Sequence, residues 1–413
     1  MSAVTAKGSP GRHDARVAIE ALRAGVPNRS AIRLLGSQEP EIGRRFADGI
    51  AALASDQPAP GLLLAGGYGT GKSHLLGYLR EEALRANCIV SWVTVSKETP
   101  LSQPAAVHAA ALRGARAQGR PEDAVLVALA QLLARPGAVQ ALEEWTAQAD
   151  LLPVFAAVAY LLGRPLPPEL TLGIAAFLAG GKPPTQEVRT RLAQHGARGL
   201  FSLTGMKAAQ LVAERPRFLA RLFRAAGFAG WVILFDEVEL IGRYGAVQRA
   251  QAYAELGRWL GVAPAAPQDG LFTVAAIADD FVAEVIDARL DEEKLPERLR
   301  LKGLPRQADL ARTAMAAIRH APILRAHEAA DLARHGELLR RCYSDAYDWP
   351  APPATPAVRE QRRTMRHHVR SWIIEWDMLR LFGSTGGVMV RPDGNTYVEE
   401  PDLALPPPDE DAG

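Results

Sequence analysis

The chain has 413 residues, 48% hydrophobic and 23% charged, with 48 Lys plus Arg against 46 Asp plus Glu. That is enough apolar material for a sizeable core and ordinary charge for a globular protein, which excludes a disordered or fibrous chain and sets an expectation of two to three domains. A net charge of +2 argues against wholesale polyelectrolyte binding, while leaving room for a local basic patch.

Two amphipathic helices are expected over residues 15–53, with Ala18, Ile19 and Leu22 on one apolar face and Ile42, Phe46, Ile50 and Leu53 on the other. Asn28 or Ser30 is placed to cap a short helix between them that ends at Gly36. Pro58 to Gly61 break the pattern, and Leu62 to Ala65 begin a short buried strand. A Gly-rich turn follows, then a helix from Ser73 to Asn87 and a second strand rich in β-branched and aromatic residues over 88–95. Strand, helix, strand at this spacing is a βαβ unit with a parallel sheet.

Residues 104–226 read as Ala- and Leu-rich helices punctuated by Pro and Gly, a helical insertion between the second and third strands. Strand character returns over 231–235 and again over 271–277. After Pro305 the pattern is helical to Phe382, with a Pro-rich break over 349–356, and residues 401–413 are Pro-rich and acidic, as a disordered tail is. The domain reading is therefore a helical segment (1–60), a discontinuous α/β core (61–103 and 227–303), the insertion (104–226), a C-terminal helical lid (304–400) and the tail.

Gly66, Gly67, Tyr68, Gly69, Thr70, Gly71, Lys72 and Ser73 fit GxxxxGK[ST] between a strand and a helix. Glycines let successive backbone N–H groups curl round a phosphate, and the helix N-terminus adds a favourable dipole. The pattern predicts ATP over residues 66–74, the last being His74, with Lys72 on the β- and γ-phosphates and Ser73 on Mg²⁺. The apolar run 231–235 ends in Asp236 and Glu237, the first expected beside Mg²⁺ and the second polarising an attacking water. Asp279, after the 271–277 strand, either orients that water or caps the next helix.

Few Asn residues, and none followed by Lys-x-Asp, disfavour a GTPase. The absence of a second RecA-like core disfavours a two-lobed helicase. A P-loop NTPase with an AAA+-like parallel sheet, a large helical insertion and a C-terminal lid is what remains. In such a ring an Arg acts on the neighbour's γ-phosphate. Arg298 is the candidate, with Arg243 and Arg249 as others, although for any one of them a solvated surface Arg is the readier reading. Lys97 and Glu98, past the second strand, are either a switch toward Glu237 or a turn-stabilising pair.

Arg359, Arg362, Arg363, Arg366 and Arg370 recur at helical spacing beside an apolar face of Met365, Val369, Trp372, Trp376 and Leu379. That stripe is expected to be exposed, for double-stranded DNA, for a partner protein or for solubility alone. His367 and His368 lack a ligand partner at metal spacing. Cys88 and Cys342 offer no disulfide framework. With no signal-like apolar segment and no apolar run near the ~18 residues of a membrane span, a cytoplasmic protein is expected.

The segments around Gln38 to Phe46, the phosphate loop, Val95 to Leu101, Asp236 to Tyr244 and Trp372 to Leu381 resemble segments that occur together in the bacterial family of BREX-system (bacteriophage exclusion) ATP-binding proteins. The likeness runs from residue 15 to 385. It implies an AAA+-type ATPase of antiphage defence, working beside defence proteins such as a helicase, as a homo-oligomer in the manner of AAA+ rings. The first sensor departs from the AAA+ pattern, since Ala278-Asp279-Asp280 stands where Asn, Ser or Thr is common. A nucleotide-dependent switch or scaffold with little turnover is the alternative to a motor.

Overall fold

The computed structural model describes residues 11–25, 28–120, 122–265, 269–325, 328–354 and 364–384. In chain order the elements begin with α1 (Arg12–Ala24), α2 (Arg29–Leu35), α3 (Pro40–Ala54), β1 (Leu62–Ala65), α4 (Lys72–Arg85) and β2 (Ile89–Thr94). The helical layer follows as α5 (Pro104–Arg113), α6 (Ala124–Ala134), α7 (Ala138–Gln148), α8 (Pro153–Leu162), α9 (Pro168–Leu178), α10 (Thr185–Gln194) and α11 (Ala208–Ala225). Then come β3 (Trp231–Asp236), α12 (Ala246–Leu260), β4 (Leu271–Ile277), α13 (Asp291–Leu301), α14 (Pro305–Arg319), α15 (Ala329–Tyr347) and α16 (Met365–Phe382).

Asn28 is the cap that starts α2: its side chain accepts from the N–H groups of Ser30 and Ala31 at 2.8 and 3.0 Å, and Gly36 ends the helix. Where a regular helix is expected after β4, residues Val282–Asp287 form a π-helical turn. Such turns are rare and occur mostly as single insertions into helices.

The chain forms two compact units. Of the described residues, the first gathers those within 11–43, 65–81 and 322–384. Its core is a cluster in which Ala15, Ala18 and Ile19 of α1 meet Tyr343 of α15 and Val369, Trp372, Ile373 and Trp376 of α16. The apolar face read for the last helix is thus buried. Around it, Asp377 accepts from Arg23 at 2.8 Å and from the Tyr343 hydroxyl at 2.7 Å.

The second unit, residues 44–64 and 82–321, holds an α/β fold on a four-stranded parallel sheet of order β1-β4-β3-β2. In its register Trp231 stands beside Ile89 on one side and Leu271 on the other, and Asp236 beside Thr94. All residues of β3 and β4 are buried, as continuous apolar runs in a covered parallel sheet require. The one polar edge of Trp231 is satisfied, its Nε1–H donating to Ser91 Oγ at 2.8 Å. Phe223 of α11 meets the Trp231 ring edge-on, and Phe46 packs on Phe272. Beyond β4, Arg249 and Asp291 form a buried two-pronged ion pair at 2.7 and 2.9 Å, and the Tyr253 hydroxyl donates to the same carboxylate.

Candidate functional site

The glycine-rich loop of residues 66–73 lies in the first unit. Its entry is fixed by a parallel bridge at Ile323: Ala65 N–H donates to Pro322 O at 2.9 Å and Leu324 N–H to Ala65 O at 2.7 Å. Two glycines make the turn. Gly69 has φ +72°, and a Cβ there would lie 2.8 Å from Thr364 Oγ1; Gly71 has φ +109°. L side chains rarely adopt either conformation.

With α4 starting at Lys72, the first N–H groups of that helix face back onto the loop, the geometry that receives anions. The Lys72 ammonium, buried at 8% exposure, donates to Gly66 O at 2.8 Å and Gly67 O at 3.2 Å. Thr70 Oγ1 donates to Gly67 O at 2.9 Å, so the crown of the loop is held by its own side chains. Gly66 is buried, Ser73 is half-buried in the first turn of α4, and Tyr68 is exposed at the tip. His74 points elsewhere: its Nε2–H donates to Gly36 O at 2.8 Å, and burial of the ring lowers its pKa. A neutral His74 therefore anchors α4 to the end of α2 by its side chain.

Sequence reading missed what covers the loop. Thr364 caps α16 by accepting from His367 N–H at 3.3 Å, and its side chain stands against Gly69. Arg366, one turn in, lies over the Tyr68 ring and donates to its hydroxyl at 3.2 Å. The Ser/Thr-before-helix signal at Thr364 was present, but nothing local told which surface the helix end would meet.

The expected exposed Arg stripe is corrected in part. Arg366 and Arg370 are half-buried rather than fully exposed, Arg366 because its guanidinium is spent on Tyr68. Arg359, Arg362 and Arg363 lie outside the described residues. His367 and His368 are buried on the core side of α16, where the His368 ring packs against Trp372.

In the second unit, β3 delivers its acidic pair at its carboxyl end. Asp236 is 6% exposed, and its Oδ1 accepts from Glu237 N–H at 3.0 Å. Glu237 is exposed and left-handed, φ +57° and ψ +36°. A non-glycine residue held there stores strain of about 1–3 kcal/mol, which concentrates at functional positions. Val95 N–H donates to Asp236 O at 3.0 Å, and the Tyr244 hydroxyl accepts from Leu101 N–H at 3.2 Å, tying the segment after β2 to the segment after β3.

Asp279 and Asp280 are both exposed in the turn after β4, next to buried Ala278. That turn is closed by backbone bonds, Phe281 N–H to Ala278 O and Glu284 N–H to Asp280 O. Lys97 and Glu98 sit in a local turn in which Ser96 Oγ donates to Glu98 at 2.8 Å and accepts from Thr99 N–H at 3.2 Å; the Ser96 bond holds the Glu98 carboxyl below its usual pKa. Arg298 is exposed on α13. Arg249 is withdrawn as a trans arginine, since Asp291 holds its guanidinium inside the unit.

No metal-gathering group of three or more His, Cys, Asp or Glu occurs among the described residues. A Mg²⁺ held with nucleotide phosphates needs fewer, one or two carboxylates with phosphate and water oxygens. Each unit carries an oxygen donor of that kind: the buried Asp236 carboxylate at the end of β3 in the second, and the Ser73 hydroxyl in the first turn of α4 in the first.

Residues 11–137 match the model of the family described as "BREX system ATP-binding protein BrxC/D". The matched stretch contains the phosphate loop and both strands of the first βαβ unit. No curated protein and no solved structure matches the chain. Among the described residues no single helix is long and apolar enough to cross a membrane.

Proposed function

We propose that this chain is an AAA+-like P-loop ATPase acting in BREX-type antiphage defence. The carrying observation is the loop of residues 66–73, where two glycines with positive φ turn the backbone into the N-terminus of α4 and Lys72 is bent over it. The family match over residues 11–137 supports ATP as the ligand and defence as the setting.

In this reading the amides at the start of α4 cradle the phosphates. Lys72 exchanges the carbonyls of Gly66 and Gly67 for β- and γ-phosphate oxygens, a stronger charge-assisted pairing. As the paired sequence motifs imply, Ser73 and Asp236 would hold Mg²⁺, which would supply charge neutralisation for the phosphates. Glu237 takes a proton from the attacking water, its exposed left-handed position leaving the carboxylate outside the β3 core. In a homo-oligomer, exposed Arg298 is the candidate to reach the neighbouring site. Movement of α15 and α16 would transmit the nucleotide state to partner defence proteins, such as a helicase, and to a protein–DNA assembly that is remodelled or loaded.

A nucleotide-dependent scaffold with slow turnover is the second reading, favoured by one observation: β4 ends in apolar Ala278 and exposed Asp279 rather than in a buried polar side chain that would orient water. Glu237→Gln separates the two. The motor reading expects wild-type ATP hydrolysis, a large loss of turnover in the variant, and retained ATP binding. A wild-type chain that binds ATP without hydrolysing it, and a variant that still supports defence, would leave the scaffold.

A further inference from the structure

Basic charge is unevenly compensated along the chain. In the first unit arginines meet carboxylates: Arg23 with Asp377, Arg29 with Glu81, and Arg340 and Arg341 with Glu337. Residues 104–226 differ, with 14 Lys plus Arg against 8 Asp plus Glu, while the rest of the chain carries 34 against 38. The near-neutral total hides a basic helical layer.

Within that layer Arg164 pairs with Glu143, and Arg221 and Arg224 pair with Asp56, while other guanidiniums are held by main-chain carbonyls. Arg116 donates to the carbonyls of Arg113 and Ala115 at 2.9 and 2.7 Å, and Arg217 to that of Asp150 at 3.2 Å. Arg191, on α10, donates to Pro165 O at 2.7 Å, and Arg189 to Leu203 O at 3.1 Å. A carbonyl orients a guanidinium without cancelling its charge. Arg198 is exposed in the loop after α10, and from Lys182 to Lys207 five cations face a single acid, Glu187. Pro165, the acceptor for Arg191, also lines a cleft of about 670 Å³ together with Arg135 and Arg164.

We propose that this layer docks the sugar–phosphate backbone of duplex DNA, centred on Arg189, Arg191 and Arg198. The carbonyl-held guanidiniums of Arg189 and Arg191 and the exposed Arg198 keep their charge for a polyanion, and such contacts draw affinity from counterion release. Base stacking on single strands needs exposed aromatic faces. Among the described residues of this layer the exposed large apolar side chains are all leucines, Leu126, Leu133, Leu172 and Leu200. The surface therefore reads charge, not bases. It gives the assembly reading above a direct nucleic-acid contact, in a different place from α16.

The test uses the full chain without nucleotide, so that it stands apart from ATP hydrolysis. Fluorescence anisotropy of a short labelled duplex is followed across a salt series for the wild type and for the combined Arg189→Ala, Arg191→Ala and Arg198→Ala variant, with melting temperature and ATP-analogue binding as fold controls. Binding should weaken linearly with log salt. The variant should lose about tenfold or more at low salt and flatten the slope by about 2–3, at ~0.9 per phosphate contact. A wild type that binds no duplex, a variant with unchanged slope, tighter binding to a single strand of equal length, or tighter binding to polyglutamate would each overturn the proposal.

Discussion

The Arg366 guanidinium lies over the Tyr68 ring, 5.3 Å from its centroid, and donates to the Tyr68 hydroxyl at 3.2 Å. One residue is the exposed tip of the phosphate loop and the other is in the first turn of α16. Beside them Arg366 N–H approaches Gly69 O at 3.5 Å and Thr364 stands against Gly69. A loop that changes shape on taking up a nucleotide must therefore rearrange this contact or carry α16 with it. The fold thus links the tip of the glycine-rich loop to the first turn of α16.

That coupling is measurable as a pairwise energy. A double-mutant cycle of Tyr68→Ala and Arg366→Ala, read by denaturant unfolding, should give about 0.5–1 kcal/mol, the value for a partly exposed cation–π pair. The same cycle read by ATP-analogue affinity should return a coupling of the same size if nucleotide breaks the contact, and about zero if the contact survives binding. Equal energies with and without nucleotide would mean that α16 and the loop move as one body.

Gly69 and Gly71 should respond differently to alanine. Gly71→Ala forces an L residue to φ +109° but adds a Cβ with nothing within 4 Å, whereas Gly69→Ala adds left-handed strain and a Cβ at 2.8 Å from Thr364 Oγ1. Left-handed strain alone is about 1–2 kcal/mol. Both variants should bind ATP more weakly, and only Gly69→Ala should also loosen α16, seen as faster hydrogen exchange over its first turns. Wild-type ATP affinity in Gly71→Ala would show that the loop's conformation is not needed for the ligand.

The loop and the strands were legible because their causes are local: glycine spacing, a buried apolar run, and an acidic pair at its end. The cap at Asn28 was legible for the same reason. Strand order was not, because residues 62–65 and 271–277 become neighbours through pairing of distant segments. Arg249 and Arg366 show the same limit at single residues. By position each looked like a cation available to a phosphate, yet Asp291 encloses one, 42 residues on, and Tyr68 takes the other across 298 residues. Helical periodicity places Arg366 on a stripe but says nothing of what lies opposite the helix end. The αL conformation of Glu237 was equally invisible, since no glycine marks it.

The Arg249–Asp291 pair predicts a large, one-sided stability effect. Both side chains are buried, at 4% and 1% exposure, and linked at 2.7 and 2.9 Å. Asp291→Ala leaves a buried guanidinium without its carboxylate and removes the acceptor of the Tyr253 hydroxyl. The expected cost is about 3–5 kcal/mol, measured as a drop in the denaturation midpoint. Arg298→Ala, at an exposed position on the same helix, should change the midpoint little. A small loss in Asp291→Ala would mean that neighbouring acceptors already satisfy Arg249.

His108 supplies a pH dependence whose sign follows from burial. Burial in the helical layer pushes its pKa down from 6.5 to about 4, with nearby Arg215 and Arg258 adding to the effect and the Nε2–H bond to Leu178 O, at 3.0 Å, opposing it. The folded state thus holds the neutral ring, while the unfolded chain takes up a proton near pH 6.5. This contribution to stability is fully present above pH 6.5 and is lost as pH falls toward 4, at up to about 1.4 kcal/mol for each unit. Unfolding midpoints between pH 7.5 and 4.5 should fall in the wild type. His108→Gln keeps an amide N–H able to reach Leu178 O and removes the titration, so its midpoint should fall less over the same range. Parallel curves for the two proteins would assign the acid sensitivity to other groups, His74 first, whose pKa burial also lowers.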